Sequence, residues 1–368
     1  MAITRIGKPA IADVRGVNFR NIIINGDMSI AQRATSATGL GNGDSGYHTV
    51  DRFKFVENSS PSCEFTQTQS TDVPTGQGFA KSLKMDCTTA QGSLGADDFI
   101  YINTSAEGQN LQYLKKGTSS AESVTLSFWV KSNKTGTYIF EIIDRDNSRA
   151  ISKSYTISSA NTWEKKTITY AGDTTGALDN DNARSFELIY WLAAGANFQS
   201  GTLQTSWGSR TTTNDAVGQV NLADSTSNEW YVTGVQLEAG QVASDFEFLP
   251  VDVNYNRCKR YYQQVGDTPD GRDESKQGIT GQMWTNAQLL PTYALSPSMR
   301  TAPSLSTSTS SLGTVYTNGV GLTINSVAAN SSSRTHLQPA LSTSSAATKG
   351  YAGHVDISGG YLLIDAEL

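Results

Sequence analysis

The strongest constraint in this chain is a succession of short segments whose apolar residues recur at every second position. In VTLSFWVKS, Val124, Leu126, Phe128 and Val130 fall on one side and Thr125, Ser127, Trp129 and Lys131 on the other. That period of two is the geometry of a strand with one buried face. TYIFEIID (137–144) follows across Lys134-Thr135-Gly136, a connection short enough for a hairpin. TWEKKTITYA (162–171) places Ile168 and Tyr170 on one side, and EWYVTGVQLEAG (229–240) closes the series. FELIYWLAAG (186–195) is apolar almost throughout, the pattern of a strand covered on both faces. The 33 glycines, with abundant Ser, Thr and Asn, favour many turns and disfavour long helices.

After residue 250 the texture changes. VDVNYNRCKRYYQQVG (251–266) is the best helix candidate, with Val253, Arg257, Arg260 and Tyr261 on adjacent turns. GDTPDGRDESKQG behind it is rich in charge and turn formers and reads as a linker. The remainder is strand-like again, and Leu305, Leu312, Val315 and Tyr316 punctuate its Ser/Thr-rich run as polar-faced strands would. The expected fold class is all-β: an antiparallel jelly-roll β-sandwich, a short connecting helix and a smaller C-terminal β-domain. The expected partition is an N-terminal arm over 1–20, the sandwich over 21–250, helix and linker over 251–275, and the C-terminal β-domain over 276–368.

A net charge of −6 and a pI near 5.2 argue against nucleic acid as a partner, because phosphate binding needs a concentrated basic surface. Arg257, Lys259 and Arg260 form a local basic patch that reads as a solvated helix face. Cys63, Cys87 and Cys258 are too few and too scattered for a disulfide framework or a zinc site, and read as reduced, buried fillers. No apolar run reaches the roughly 18–20 residues of a membrane span, and the N-terminus lacks the apolar core of a secretory signal. The expectation is a protein made in a cytoplasm, without membrane insertion.

Catalytic constellations are scarce. His48, His336 and His354 sit in no metal or nucleophile motif, and a His48–Asp51 dyad competes with a plain structural reading. Asp97-Asp98, Asp144-Arg145-Asp146 and Asp179-Asn180-Asp181 hold adjacent carboxylates that read as turns, because glycoside cleavage needs two held about 5–10 Å apart around a sugar. The chain is therefore expected not to be an enzyme. Calcium suits the oxygen-rich triplet Asn25-Gly26-Asp27, with Asp245 and Glu247 as further candidate ligands. The same triplet also reads as a turn or bulge satisfying its own backbone. For glycan stacking, Trp207 in its polar, glycine-containing context is the first candidate and Trp284 the second, while Trp129, Trp163, Trp191 and Trp230 lie within strands.

The order NIIINGDMSIAQR, YHTVDRFKF, LSFWVKS, NTWEKKTITYAG and VTGVQLEAGQVASDFEF, with RCKRYYQQ behind it, resembles the carbohydrate-binding-module-like jelly-roll domain of bacteriophage tail-fibre and other virion-surface proteins. PSMRTAPSL and the final DAEL are similar to the small C-terminal β-domain of the same fibres. The resemblance covers about residues 15–265 well and the later segments more loosely. It implies an Asn-Gly-Asp first strand paired with a Gly-Val-x-Leu-Glu last strand. It also implies a homo-oligomer, usually a trimer, attached to other virion proteins by its N-terminus and displayed on the particle surface, tail rather than head. Its ligand would be a host-surface glycan, bound without cleavage. Arg257, Tyr261 and Tyr262 are the candidates for contact between copies. A purely structural capsid fibre, decoration protein or adaptor is the alternative.

Overall fold

The computed structural model describes residues 19–58, 62–266, 277–310, 312–344 and 346–368; the expected arm lies outside them except for its last two residues. The strands that follow are β1 (Ser36–Leu40), β2 (Lys54–Asn58), β3 (Glu64–Ser70), β4 (Ser82–Thr89), β5 (Phe99–Glu107) and β6 (Val124–Ser132). Next come β7 (Gly136–Asp144), β8 (Arg149–Ile157), β9 (Glu164–Tyr170), β10 (Arg184–Ala194), a one-turn helix α1 (Ala196–Gln199), β11 (Gly208–Ser209) and β12 (Glu229–Ala239). They form two antiparallel six-stranded sheets, ordered β1-β3-β4-β12-β6-β9 and β11-β8-β7-β10-β5-β2. The chain is thus a jelly-roll-like sandwich, as its period of two dictates.

Val124, Leu126, Phe128 and Val130 of β6 face the inter-sheet core with Trp230, Val232, Phe140 and Tyr190. The second sheet is covered on its outer side as well, which explains the apolar run of β10. Trp191 and Ile189, with Tyr101 and Ile143, pack there beneath Phe198, Leu203 and Ala216 of the α1 loop.

NIIINGDMSIAQR departs from expectation. Residues 22–24 are not a strand but an irregular segment that bends into a turn at 24–27. Its partner is nevertheless the expected one. At Gly234, φ +62°, the pairing of β12 with β6 shifts register, and the backbone of Val235 turns away from the ladder. Val235 N–H then donates to Gly26 O (2.8 Å), Ile22 N–H donates to Leu237 O (2.9 Å), and Asn21 Nδ2 donates to Val235 O (2.9 Å). Met28 and Ile30 re-enter the core, fully buried.

The expected helix over 251–266 is shorter. α2 (Val251–Lys259) ends at Arg260, and Tyr262–Gly266 becomes β13, because Tyr-Tyr-Gln-Gln-Val favours a pleated surface and finds one. The later strands are β14 (Gln277–Thr285), β15 (Gln288–Pro291), β16 (Tyr293–Ala294), β17 (Ser304–Thr307), β18 (Thr314–Thr317), β19 (Val320–Ser332), β20 (His336–Thr343), β21 (Ala352–Asp356) and β22 (Tyr361–Asp365). They make a three-stranded sheet β13-β22-β17 and a seven-stranded sheet β15-β14-β21-β18-β19-β20-β16, closed over a second core of Val265, Met283, Leu341, Val355 and Ile364. The Ser/Thr-rich run supplies β17 and β18, with Leu312 and Val315 fully buried.

A buried ionic seam joins the sandwich to this C-terminal unit. The guanidinium of Arg52 lies 3.5 Å from the ring centre of Tyr261, and that of Arg33 lies 3.6 Å from the ring centre of Tyr262. Glu367 accepts from both arginines, and Arg33 also reaches Asp365 at 3.0 Å. Gln32 Nε2 donates to Tyr262 O (3.0 Å), and Arg300 Nη1 donates to Asn182 O (3.0 Å). Tyr261 and Tyr262, expected to face a second copy, are therefore buried inside one chain, each 1% exposed, and that expectation is corrected.

A Cβ on Gly26 would lie 2.0 Å from the Val235 carbonyl oxygen, whereas one on Gly39 (φ +70°) would meet nothing within 4 Å. Gly26→Ala is expected to cost about 2–3 kcal/mol in urea unfolding, and Gly39→Ala about 1 kcal/mol from backbone strain alone. Equal losses would show that the Gly26–Val235 approach does not anchor the opening segment.

Candidate functional site

A groove of about 560 Å³ opens beside the seam, in the size range of small-ligand sites. Four pieces of chain meet there: residues 19–24, the turn following β5, the end of α2, and Arg334 between β19 and β20. Glu247 positions the first piece by accepting from the N–H groups of Phe19 (3.1 Å) and Asn21 (3.0 Å). The second is held by Gln112 Nε2, which donates to Gly108 O (3.0 Å) and Asp179 O (3.1 Å). Gly108 is required there, since a Cβ would lie 2.0 Å from Asp179 O. That turn presents Gln109, Asn110 and Tyr113 to the groove, with Tyr113 41% exposed; Phe19 opposite is 51% exposed.

The charges are one-sided. Arg257, Arg260 and Arg334 line the groove, and none of its lining residues is a carboxylate. Arg260 is neutralised from behind: its Nε and Nη2 donate to the two oxygens of buried Glu107 at 2.7 Å each, and Tyr261 Oη donates to the same carboxylate at 2.6 Å. Burial works to raise the Glu107 carboxyl, but these donors and the Arg260 charge outweigh it and hold the group below the usual glutamate range. Arg257 donates to Asn21 O (3.3 Å) and lies 5.7 Å from the Phe19 ring, and Arg334 Nε donates to Met299 O (3.1 Å). Among the described residues neither forms an ion pair. Burial pulls the Arg257 guanidinium below its ordinary value, and the neighbouring Cys258, Tyr261 and Glu247 offset this only in part. Such an arrangement offers ring faces, an amide and two guanidinium groups without a carboxylate partner among the described residues on one concave surface.

Of the residues singled out from the sequence, the structure brings Arg257, Arg260 and Tyr261 to this groove. Trp207 is half-buried, stacked 6.1 Å from Phe186 beneath Lys116, and its indole N–H donates to Ala171 O (2.8 Å). Its polar sequence context reflects a loop packed back on the sandwich and not a free platform. Trp284 is 59% exposed on the open side of the seven-stranded sheet, with Lys349 5.6 Å from its ring. Tyr316 stacks on His354 on the same sheet, 5.1 Å between ring centres.

The calcium candidates do come near one another, in a crevice lined by Asn25, Asp27 and Glu247. Most of their oxygens are engaged, however. Asn25 Oδ1 accepts from Ile30 N–H (2.9 Å) while its Nδ2 donates to Ile30 O and Asp51 O; Asp27 accepts from Ser29 and Asn254; Glu247 takes the two amides above. Asp245 takes part through its main-chain carbonyl, which accepts from Arg20 and Gln236. Arg257 lines the same crevice, a cation where a calcium ion would need none. Among the described residues no group of three His, Cys, Asp or Glu converges as a metal cage.

The remaining polar candidates serve the scaffold. Asp51 spends both carboxylate oxygens on Gln32, so no dyad with His48 forms. Asp98 accepts from Gly95 N–H, Asp144 from Lys116 and the amides of Asp146 and Asn147, and Asp181 from Ala183 N–H. All three cysteines are buried and unpaired.

The chain matches no family model, and no curated protein matches it. Among solved structures it is similar to the enzymatically active domain of bacteriophage CBA120 tailspike protein 4, at 13% identity and TM-score 0.31, over 60% of this chain and 22% of that one. It is also similar to a CBM4 structure (10% identity, TM-score 0.30, 58% of this chain and 97% of that one). A third is the family 11 carbohydrate-binding module of Clostridium thermocellum in complex with a β-1,3-1,4-mixed-linked tetrasaccharide (12% identity, TM-score 0.29, 57% and 99%). At these TM-scores the likeness carries no functional argument, and the site is read from its own residues.

Because the Glu107 carboxyl is depressed in the folded chain, its contribution is complete above the unfolded value of about 4.3 and is lost as pH falls through the folded value. Glu367 acts oppositely: burial outweighs Arg52 and Arg33 and raises its carboxyl, so that group favours the folded state on acidification. Glu107→Gln is therefore expected to cost about 3 kcal/mol at pH 7 and progressively less below pH 4, read as the wild-type-minus-variant difference in urea unfolding. A difference independent of pH would refute the Glu107–Arg260 pairing as its source.

Proposed function

We propose that this chain is a bacteriophage virion-surface protein, a tail fibre in the simplest reading, that binds a host-surface glycan without cleaving it. The observation that carries the binding half is the groove. Phe19 and Tyr113 supply faces on which sugar rings stack, and Asn110 and the arginines supply donors for hydroxyl and ring oxygens. Cleavage by a carboxylate pair has no footing there, since none of the lining residues is Asp or Glu. The virion half rests on the order of sequence segments shared with phage fibre domains. In that setting three copies would each present one shallow groove, and avidity would come from their number. Attachment to other tail proteins would fall to residues 1–20, of which 1–18 lie outside the described residues.

The test is binding of the purified full chain to arrayed bacterial surface polysaccharides and to intact cells, with its oligomeric state read by sedimentation. Tyr113→Ala should weaken glycan binding about tenfold, the loss of one stacking contact. Trp207→Ala should lower the melting temperature and leave affinity unchanged. A well-folded oligomer that binds no glycan and no cell would instead support a structural capsid fibre, decoration protein or adaptor. Release of reducing sugar would overturn the non-catalytic reading.

A further inference from the structure

We infer that the groove is selective for acidic glycans, seating an anionic sugar substituent between Arg257 and Arg334 while the sugar rings lie on Phe19 and Tyr113. This rests on the glycan-binding reading and narrows it. The chain as a whole is acidic, with a net charge of −6, yet this groove gathers three arginines and no carboxylate. Two of the three form no ion pair among the described residues, because Glu107 pairs only with Arg260. Glu247 lies near Arg257 and offsets its charge only in part, its two oxygens accepting from the amides of Phe19 and Asn21. A half-buried guanidinium whose hydrogen bond goes to a main-chain carbonyl keeps most of its donors for a ligand. Arg334 is exposed, held by one bond from Nε, and its two terminal nitrogens face no acceptor among the described residues.

A planar guanidinium matches the two oxygens of a sugar carboxylate, and equally two oxygens of a sulfate or phosphate ester. A neutral glycan would leave both charges unanswered in a partly desolvated groove. A nucleic acid would answer them, but its extended phosphate track needs a basic surface that the acidic remainder of the chain does not offer.

Affinity electrophoresis of the full chain in gels containing polygalacturonate, dextran sulfate or neutral dextran tests this, with the first two separating carboxylate from sulfate recognition. At least one acidic polymer should retard the protein, neutral dextran should not, and retardation should fade as salt is raised from 0.05 to about 0.5 M. Arg334→Gln should weaken binding about tenfold with an unchanged melting temperature, since the side chain is exposed; Arg257→Lys, which keeps the charge and loses the fork, should weaken it less. No retardation by either acidic polymer, or equal retardation by dextran, overturns the inference. Cell or glycan-array binding that survives Arg334→Glu overturns it while leaving the broader reading intact; absence of all glycan and cell binding removes that reading itself.

Discussion

Two guanidinium groups lying on two consecutive tyrosines hold this molecule together. Arg52 sits on Tyr261 and Arg33 on Tyr262, both with Glu367 as a shared acceptor. Taking an arginine out of water costs several kcal/mol and is offset only where its donors and its face are both satisfied. Here the faces and most of the donors are: Arg52 also donates to Ser105 O at 2.9 Å and Arg33 to Asp365, leaving Arg52 Nε and Arg33 Nη1 as the buried nitrogens without a hydrogen bond. The two tyrosines stand where α2 gives way to β13, so one change of backbone conformation aims neighbouring side chains at different arginines. That change makes the C-terminal unit continuous with the sandwich: the end of the segment expected to be a helix is an anchored connection between them, and the expected linker behind it lies, over 267–276, outside the described residues.

The fold was legible wherever period and composition agreed. The alternation of β6 and the doubly apolar run of β10 each specify a degree of burial that the two-layer sandwich delivers. What was not legible was where tertiary pairing outweighed local pattern. Ile22–Ile24 carry a strand's composition, but Gly234 diverts the β12 backbone so that only scattered hydrogen bonds remain for them. Tyr261 and Tyr262 fall at helical spacing from Cys258, yet a free sheet edge at β22 captured the residues from Tyr262 onward. Both errors come from the same source: a partner distant in sequence supplied hydrogen bonds that no local signal announces.

The site was less legible still. Tryptophan in a polar loop suggests an exposed face, yet the Trp207 indole N–H is committed to Ala171 O. Tyr113, embedded in QNLQYLKKG, carries no periodic signal, and Phe19 lies at the end of the stretch expected to be an N-terminal arm. Arg334 belongs to the groove only because the C-terminal unit is docked. A site assembled from four separated pieces of chain has no linear motif, and in an acidic protein its local excess of arginine is hidden in the total.

The seam and the groove share Tyr261, which Glu107 ties to Arg260 from behind, and this gives the groove its rigidity. Arg260 is held by both oxygens of Glu107, Glu107 by the Tyr261 hydroxyl, and the Tyr261 ring by Arg52 of the sandwich core. A ligand entering the groove therefore meets a wall whose rotamers are already fixed, and the ordering entropy that binding normally loses is confined to Arg257, Arg334 and the two exposed rings. The same chain of contacts explains why Glu107 neutralises Arg260 and pairs with neither Arg257 nor Arg334: the Arg260 charge serves folding, and the other two are held by main-chain carbonyls alone.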